Sequence, residues 1–203
     1  MKKIAAAGMA LFFALSIWAA VPTGQAQQAT AAKDTTAKET KATHLYVGVQ
    51  KCGMCHKSEA RGNQLGHWKE TKHSEAYATL AGDAAKAIGK KTGIDDPQKD
   101  PKCLKCHVTA YGAAKELLDV KYSMDEGVTC EACHGPGSDY MKLGIMKDKE
   151  KAIAAGLVIP TKDLCVKCHN EESPSYVKFN FEEMYAKIAH PVPKAEEKKP
   201  AQE

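Results

Sequence analysis

The chain has 203 residues, 29 basic and 25 acidic, with a formal charge of +4, 43% hydrophobic and only 6% aromatic content. Its lysines are interspersed with Glu and Asp rather than gathered in a basic stripe, which argues against a nucleic-acid partner. The length suits one domain, so the eight cysteines are the feature that most needs explaining.

At the N-terminus Lys2 and Lys3 precede a run from Ile4 to Val21 that is apolar apart from Ser16, and Gly24-Gln25-Ala26 supplies small residues after it. This is the pattern of a secretory signal peptide over residues 1–26, cleaved after Ala26. The run is also about long enough to cross a bilayer as an anchor. The small-residue site and the polar stretch from Gln27 favour cleavage. A periplasmic protein with no membrane span after cleavage is therefore expected. Residues 27–43, rich in Ala, Thr, Lys and Gln without an apolar period, read as a disordered lead-in.

From His44 onward the chain carries its motifs. Cys52-Gly53-Met54-Cys55-His56 comes first, followed by helical patterns over 58–65, 67–80 and 83–90. Pro97 and Pro101 mark a loop before Cys103-Leu104-Lys105-Cys106-His107. The third motif, Cys130-Glu131-Ala132-Cys133-His134, runs straight into Gly135-Pro136-Gly137, which breaks the chain. A helix over 138–155, the fourth motif Cys165-Val166-Lys167-Cys168-His169 and a helix over 181–189 follow. Pro191 opens a charged tail, 191–203, that reads as disordered. The intervals between motifs are 46, 22 and 30 residues, so this is no fixed-period repeat.

Eight cysteines in an exported chain would ordinarily suggest disulfides. Here each falls into a Cys-x-x-Cys pair with none left over. Such pairs also serve zinc sites and dithiol redox centres, but neither explains the His after every pair. With 8 His in 203 residues, that coincidence has a chance of about 4% per pair, a few in a million for all four. Thiols three residues apart lie on neighbouring turns of one helix and can add to the two vinyl groups of one porphyrin. The adjacent imidazole then becomes the proximal iron ligand. The reading is four covalently attached haem c groups, held by Cys52, Cys55, Cys103, Cys106, Cys130, Cys133, Cys165 and Cys168, with His56, His107, His134 and His169 on iron. Eight propionates would turn the slight positive excess into a net negative charge.

The expected fold is mostly α, with short helices and loops packed around the four haems in a domain spanning 44–190. A domain of this length has a radius of gyration of roughly 16 Å, so the macrocycles must lie close together. Four histidines remain as sixth ligands: His44, His67, His73 and His190. His73, one turn before Tyr77, and His190, before Pro191, are assigned as ligands. His67 lies about 240° from His73 on the expected 67–80 helix, so it is read as a surface residue. His44, ahead of Leu45-Tyr46-Val47-Gly48, is either a ligand or a surface side chain. Methionine is the other common ligand; Met141 is read as packing, and Met146 stays a candidate.

Several stretches resemble the cytochrome c-554 family of tetrahaem electron carriers. They are Cys52 to His73 with Trp68 five residues before that His, Cys103 to Gly112, Gly127 to Gly137, and Phe179 to Met184 running to His190. The resemblance implies a helical fold with haems in stacked pairs. It implies that His73 caps the third-motif haem and His190 the fourth, with the second-motif haem five-coordinate. In the family the first-motif haem takes a His from between the third and fourth motifs. Residues 135–164 contain no His, and Met146 stands near the family's ligand segment. Met146 is thus assigned to the first-motif haem, while the second is open or capped by His44 from an N-terminal arm, of this chain or a neighbour's.

The function expected is periplasmic electron transfer between redox partner proteins, not enzymatic turnover. Two alternatives stand beside it: a small reductase of nitric oxide or another nitrogen oxide at an open haem, and a homo-oligomeric conducting filament. No motif replaces its His by Lys, and no acid–base cluster is evident, so the carrier is preferred.

Overall fold

The computed structural model describes residues 44–192. The expected leader, the lead-in and all but the first two residues of the tail lie outside them. Among the described residues the chain forms ten short α-helices and no strand. They are α1 (Val49–His56), α2 (Gln64–Lys69), α3 (Ala76–Thr79), α4 (Asp83–Thr92), α5 (Pro101–His107), α6 (Cys130–His134), α7 (Leu143–Met146), α8 (Lys149–Ala154), α9 (Lys162–Cys165) and α10 (Phe181–Ile188). The architecture is mostly helical, with short helices and loops, as the sequence led one to expect. Among the described residues, extended pairing is confined to one bridge, where Tyr46 meets Leu118.

Local chemistry explains where the helices stop. The stretch 58–65 is not the expected helix, because Gly62 (φ 91°) and Asn63 (φ 41°) turn the chain through the left-handed region. Asn63 then caps α2 by accepting from the Gly66 N–H at 3.1 Å. The expected 67–80 helix breaks after Lys69. There the Thr71 hydroxyl donates to Trp68 O (2.8 Å) and the Ser74 hydroxyl to Thr71 O (2.8 Å) and Lys69 O (3.1 Å). Such side-chain bonds compete with helix continuation. His67 and His73 are therefore on different elements, and the argument from their angular separation on one helix does not apply. The expected 138–155 helix divides at Asp148, which is extended and accepts from Lys151 N–H to start α8. Asp100 and Pro101 open α5 as an N-cap and a first-turn proline.

The apolar core is small. Leu80, Leu104 and Val108 form a buried cluster with Tyr77, Ala85, Cys103 and Tyr111 packed on it, and Val47, Val49, Tyr140 and Ala152 are buried as well. Leu143, Ile153, Val158 and Val177 are exposed. Ordering a backbone costs roughly 1–2 kcal/mol per residue, which so few apolar side chains cannot offset. The polypeptide is built to pack against something other than itself.

Its polar centre is Glu131, 2% exposed, inside the third motif. The carboxylate accepts from Val47 N–H (2.8 and 3.0 Å), Gly48 N–H (2.9 Å) and Gly137 N–H (2.7 Å). Burial pushes its pKa up, and these N–H donors act in the opposite sense. The bonds tie the segment leading into α1 to α6 and to the Gly-Pro-Gly turn. Gly48 is needed at φ 83°, where a Cβ would sit 2.7 Å from Lys121 O. Glu126 accepts from Val49 N–H at 3.0 Å and so closes the start of α1.

Replacing Glu131 with Ala strands three buried N–H groups, each costing about 1–3 kcal/mol. Chemical denaturation should show a loss of at least about 3 kcal/mol, with Glu131→Gln, which keeps one acceptor oxygen, losing less.

Candidate haem sites

Each Cys-x-x-Cys-His motif sits on a helix or a helical turn. The first three lie within α1, α5 and α6. In the fourth, α9 ends at Cys165, and the turn continues through Cys168 N–H to Cys165 O (3.2 Å) and His169 N–H to Cys165 O (3.0 Å). The pitch that places both thiols and the imidazole on one side is thereby kept in all four. No disulfide joins the eight cysteines.

Three motif imidazoles are aimed by a hydrogen bond at Nδ1. His107 donates to Ala76 O at 2.6 Å and His134 to Val158 O at 3.1 Å. His56 donates to Gln64 Oε1 at 3.0 Å; the Gln64 amide N–H₂ is spent on Arg61 O and Pro191 O, so its oxygen must face the ring. Carbonyl acceptors at Nδ1 leave Nε2 with the lone pair, the arrangement that orients a metal-ligating histidine. His169 is held differently, stacked on Phe179 with ring centroids 4.8 Å apart and planes 16° apart. Burial lowers the pKa of His73, His134 and His169 and favours the neutral, ligating imidazole.

Two of these rings face a second imidazole. His73 and His169 have centroids 6.0 Å apart, and His134 and His190 5.9 Å apart. With a ring centre about 1 Å behind the bonding nitrogen and metal–imidazole bonds of about 2.0–2.1 Å, two imidazoles sharing one metal stand about 6 Å apart. The residues present therefore fit an iron with two axial histidines at the third and fourth motifs. The pairing differs from what the resemblance implies: His73 faces the fourth motif and His190 the third. The cause is tertiary. Val128 N–H donates to His73 O at 3.0 Å, and a Cβ on Gly127 (φ 73°) would stand 2.9 Å from that oxygen. Trp68 Nε1–H reaches Val128 O at 2.8 Å. These contacts fix the backbone of the His73 turn to the segment leading into the third motif, while its ring faces His169 of the fourth.

The remaining candidates are placed as follows. His67 is exposed on α2, and Met146 is half-buried at the end of α7. His44 is not on a loose arm over the second motif. Its Nδ1 lies 2.7 Å from Asp139 Oδ2, in the loop after the third motif. Among the described residues no ring pair includes His56 or His107.

The thiols show which motifs adjoin. The Cys52 and Cys130 thiols are close neighbours, and their interaction raises the pKa of the first and lowers that of the second. Burial pushes the Cys168 thiol up to about 12, with adjacent Cys106 adding to it. Burial pushes Cys133 up to about 11, with Cys165 adding to it. The first motif thus adjoins the third, the third the fourth, and the fourth the second. Gln64, Asp139 and the carbonyls of Ala76 and Val158 had no signal in the sequence. Glu131 and Phe179 were visible only as letters inside longer motifs.

Four thiol-pair motifs with aimed imidazoles, two of them matched by a second imidazole, define a multihaem c-type cytochrome. Residues 51–135 match the family model described as cytochrome c554 and c-prime. The chain is also 33% identical over 148 residues, 68% of its length, to cytochrome c-554 of Nitrosomonas europaea. It spans 59% of that relative's length. No solved structure matches. The chain belongs to the cytochrome c554 family.

Replacing His73 with Ala should convert one low-spin haem to high spin in the paramagnetic resonance spectrum. In a variant lacking the fourth-motif haem (Cys165→Ala with Cys168→Ala) the same change should have no further effect. In a variant lacking the third-motif haem the conversion should persist. His190→Ala should show the opposite dependence.

Proposed function

We propose that the chain is a periplasmic carrier that binds four haem c groups and passes electrons between redox partner proteins. The family supports multihaem electron transfer, and one observation extends it to this chain. The four thiol pairs adjoin in the unbroken order first, third, fourth, second, which supports a single conducting row. Haem, when bound, supplies a one-electron iron couple at each motif. The protein's own task is then to hold the groups close and to keep their ligation constant. The carbonyls of Ala76 and Val158 and the Gln64 amide fix the proximal rings, and His73 and His190 supply second imidazoles at the fourth and third motifs. Irons held between His169 and His73 and between His134 and His190 would have no position left for a substrate, which favours a carrier over an enzyme.

Intact mass of the exported protein should equal the chain from Gln27 plus four haems, recovered from the periplasmic fraction. A redox titration should then take up four electrons per chain. A lower haem count sinks the tetrahaem reading. Multiple turnovers with a reductant and nitric oxide would move the protein to the reductases, and filaments under electron microscopy to the conducting assemblies.

A further inference from the structure

The first motif has a proximal imidazole, His56, that no second ring faces among the described residues, and the segment 135–164 between the third and fourth motifs contains no histidine. That segment is nevertheless in contact with a histidine. His44 lies against it from the N-terminal side, its Nδ1 2.7 Å from Asp139 Oδ2. Backbone on either side holds it there: Leu45 N–H donates to Ser138 Oγ (2.9 Å), and Ser138 N–H donates to Leu45 O (3.2 Å). Two residues further on, Val47 and Gly48 are bonded to Glu131.

The state of the ring follows from its partner. Lys142 Nζ lies 3.3 Å from the other carboxylate oxygen, Asp139 Oδ1, so the acid is flanked by a cation as well as by the imidazole. A carboxylate only accepts, so His44 donates from Nδ1, and the tautomer this bond selects carries its lone pair on Nε2. A Cβ on Gly156 would stand 3.3–3.4 Å from Nε2, Cδ2 and Cε1 alike. Near-equal distances mean that the face of the imidazole lies over Gly156, and the Nε2 edge is left uncovered by it. A carboxylate on one nitrogen and a free lone pair on the other is the recurring arrangement of a metal-ligating histidine.

The location selects the iron. Gly156 O packs beside Gly135, immediately after His134, so His44 belongs to the half of the molecule built by the first and third motifs. His190 already faces His134. His107 is bonded to Ala76 on the α3–α5 side. We infer that His44 is the sixth ligand of the first-motif haem, with Asp139 as the positioning residue that orients its ring. The inference rests on haem attachment at Cys52 and Cys55, and it replaces Met146 as the ligand.

The test uses the full exported chain, with four haems verified by intact mass in every variant that keeps all its cysteines. That check separates failure of the inference from failure of attachment. His44→Ala should convert one low-spin haem to high spin, and added imidazole should restore it. In a chain lacking the first-motif haem (Cys52→Ala with Cys55→Ala) the same substitution should change nothing in the haem spectra. Asp139→Asn should keep the low-spin count but raise one haem's potential, because a weaker acceptor at Nδ1 makes the imidazole less basic. Met146→Ala should be spectrally silent. A silent His44→Ala with four haems present would overturn the inference, as would loss of a low-spin haem in Met146→Ala. A spin change that persists without the first-motif haem would assign His44 to another iron.

Discussion

The carboxylate of Glu131 holds the segment leading into the first motif against the third motif. It is placed at the second position of the third motif, between the two thiols, and its own side chain turns inward. Three backbone N–H groups from two distant segments converge on it. In a chain with so little apolar core, buried polar bonds of this kind carry much of the specificity. Removing the acceptor would leave the N–H groups of Val47, Gly48 and Gly137 unpaired and free the α1 segment from α6.

The same economy runs through the ligand set. Few of the groups that aim the imidazoles are special residues: two are main-chain carbonyls, of Ala76 and Val158, and one is a glutamine amide. The proximal rings are therefore oriented by where the backbone passes, not by a signature in the side chains. Gly127 illustrates this, since its positive φ and its closeness to His73 O let the two segments touch. The sparse core has the same origin. Side chains such as Leu143 and Val158 gain little from one another, and the mass that fills such a domain is the cofactor.

What could be read along the chain was whatever is local. Pairing of thiols at three-residue spacing and the adjoining histidine is a property of one helical turn, so Cys52 to His56 and its three counterparts were legible at once. So were the mostly helical class and the helices at 83–92 and 181–188, within two residues. Boundaries failed where polar side chains capture backbone groups, as at Asn63, Ser74 and Asp148, because such caps compete with helix propensity by amounts that a periodicity count does not register.

Distal ligation is decided elsewhere. That His73 and His190 are ligand candidates follows from how few histidines lie outside the motifs, and the sequence alone determined that short set together with the four Cys-x-x-Cys-His motifs. Which motif each one faces depends on the path of the chain between them, set by contacts such as Val128 to His73 that span more than 50 residues. The placement of His44 against Asp139, 95 positions away, belongs to the same class. Covalent haem attachment is written in neighbouring residues, whereas the sixth coordination position is filled across space, and only the tertiary structure brings its partners together.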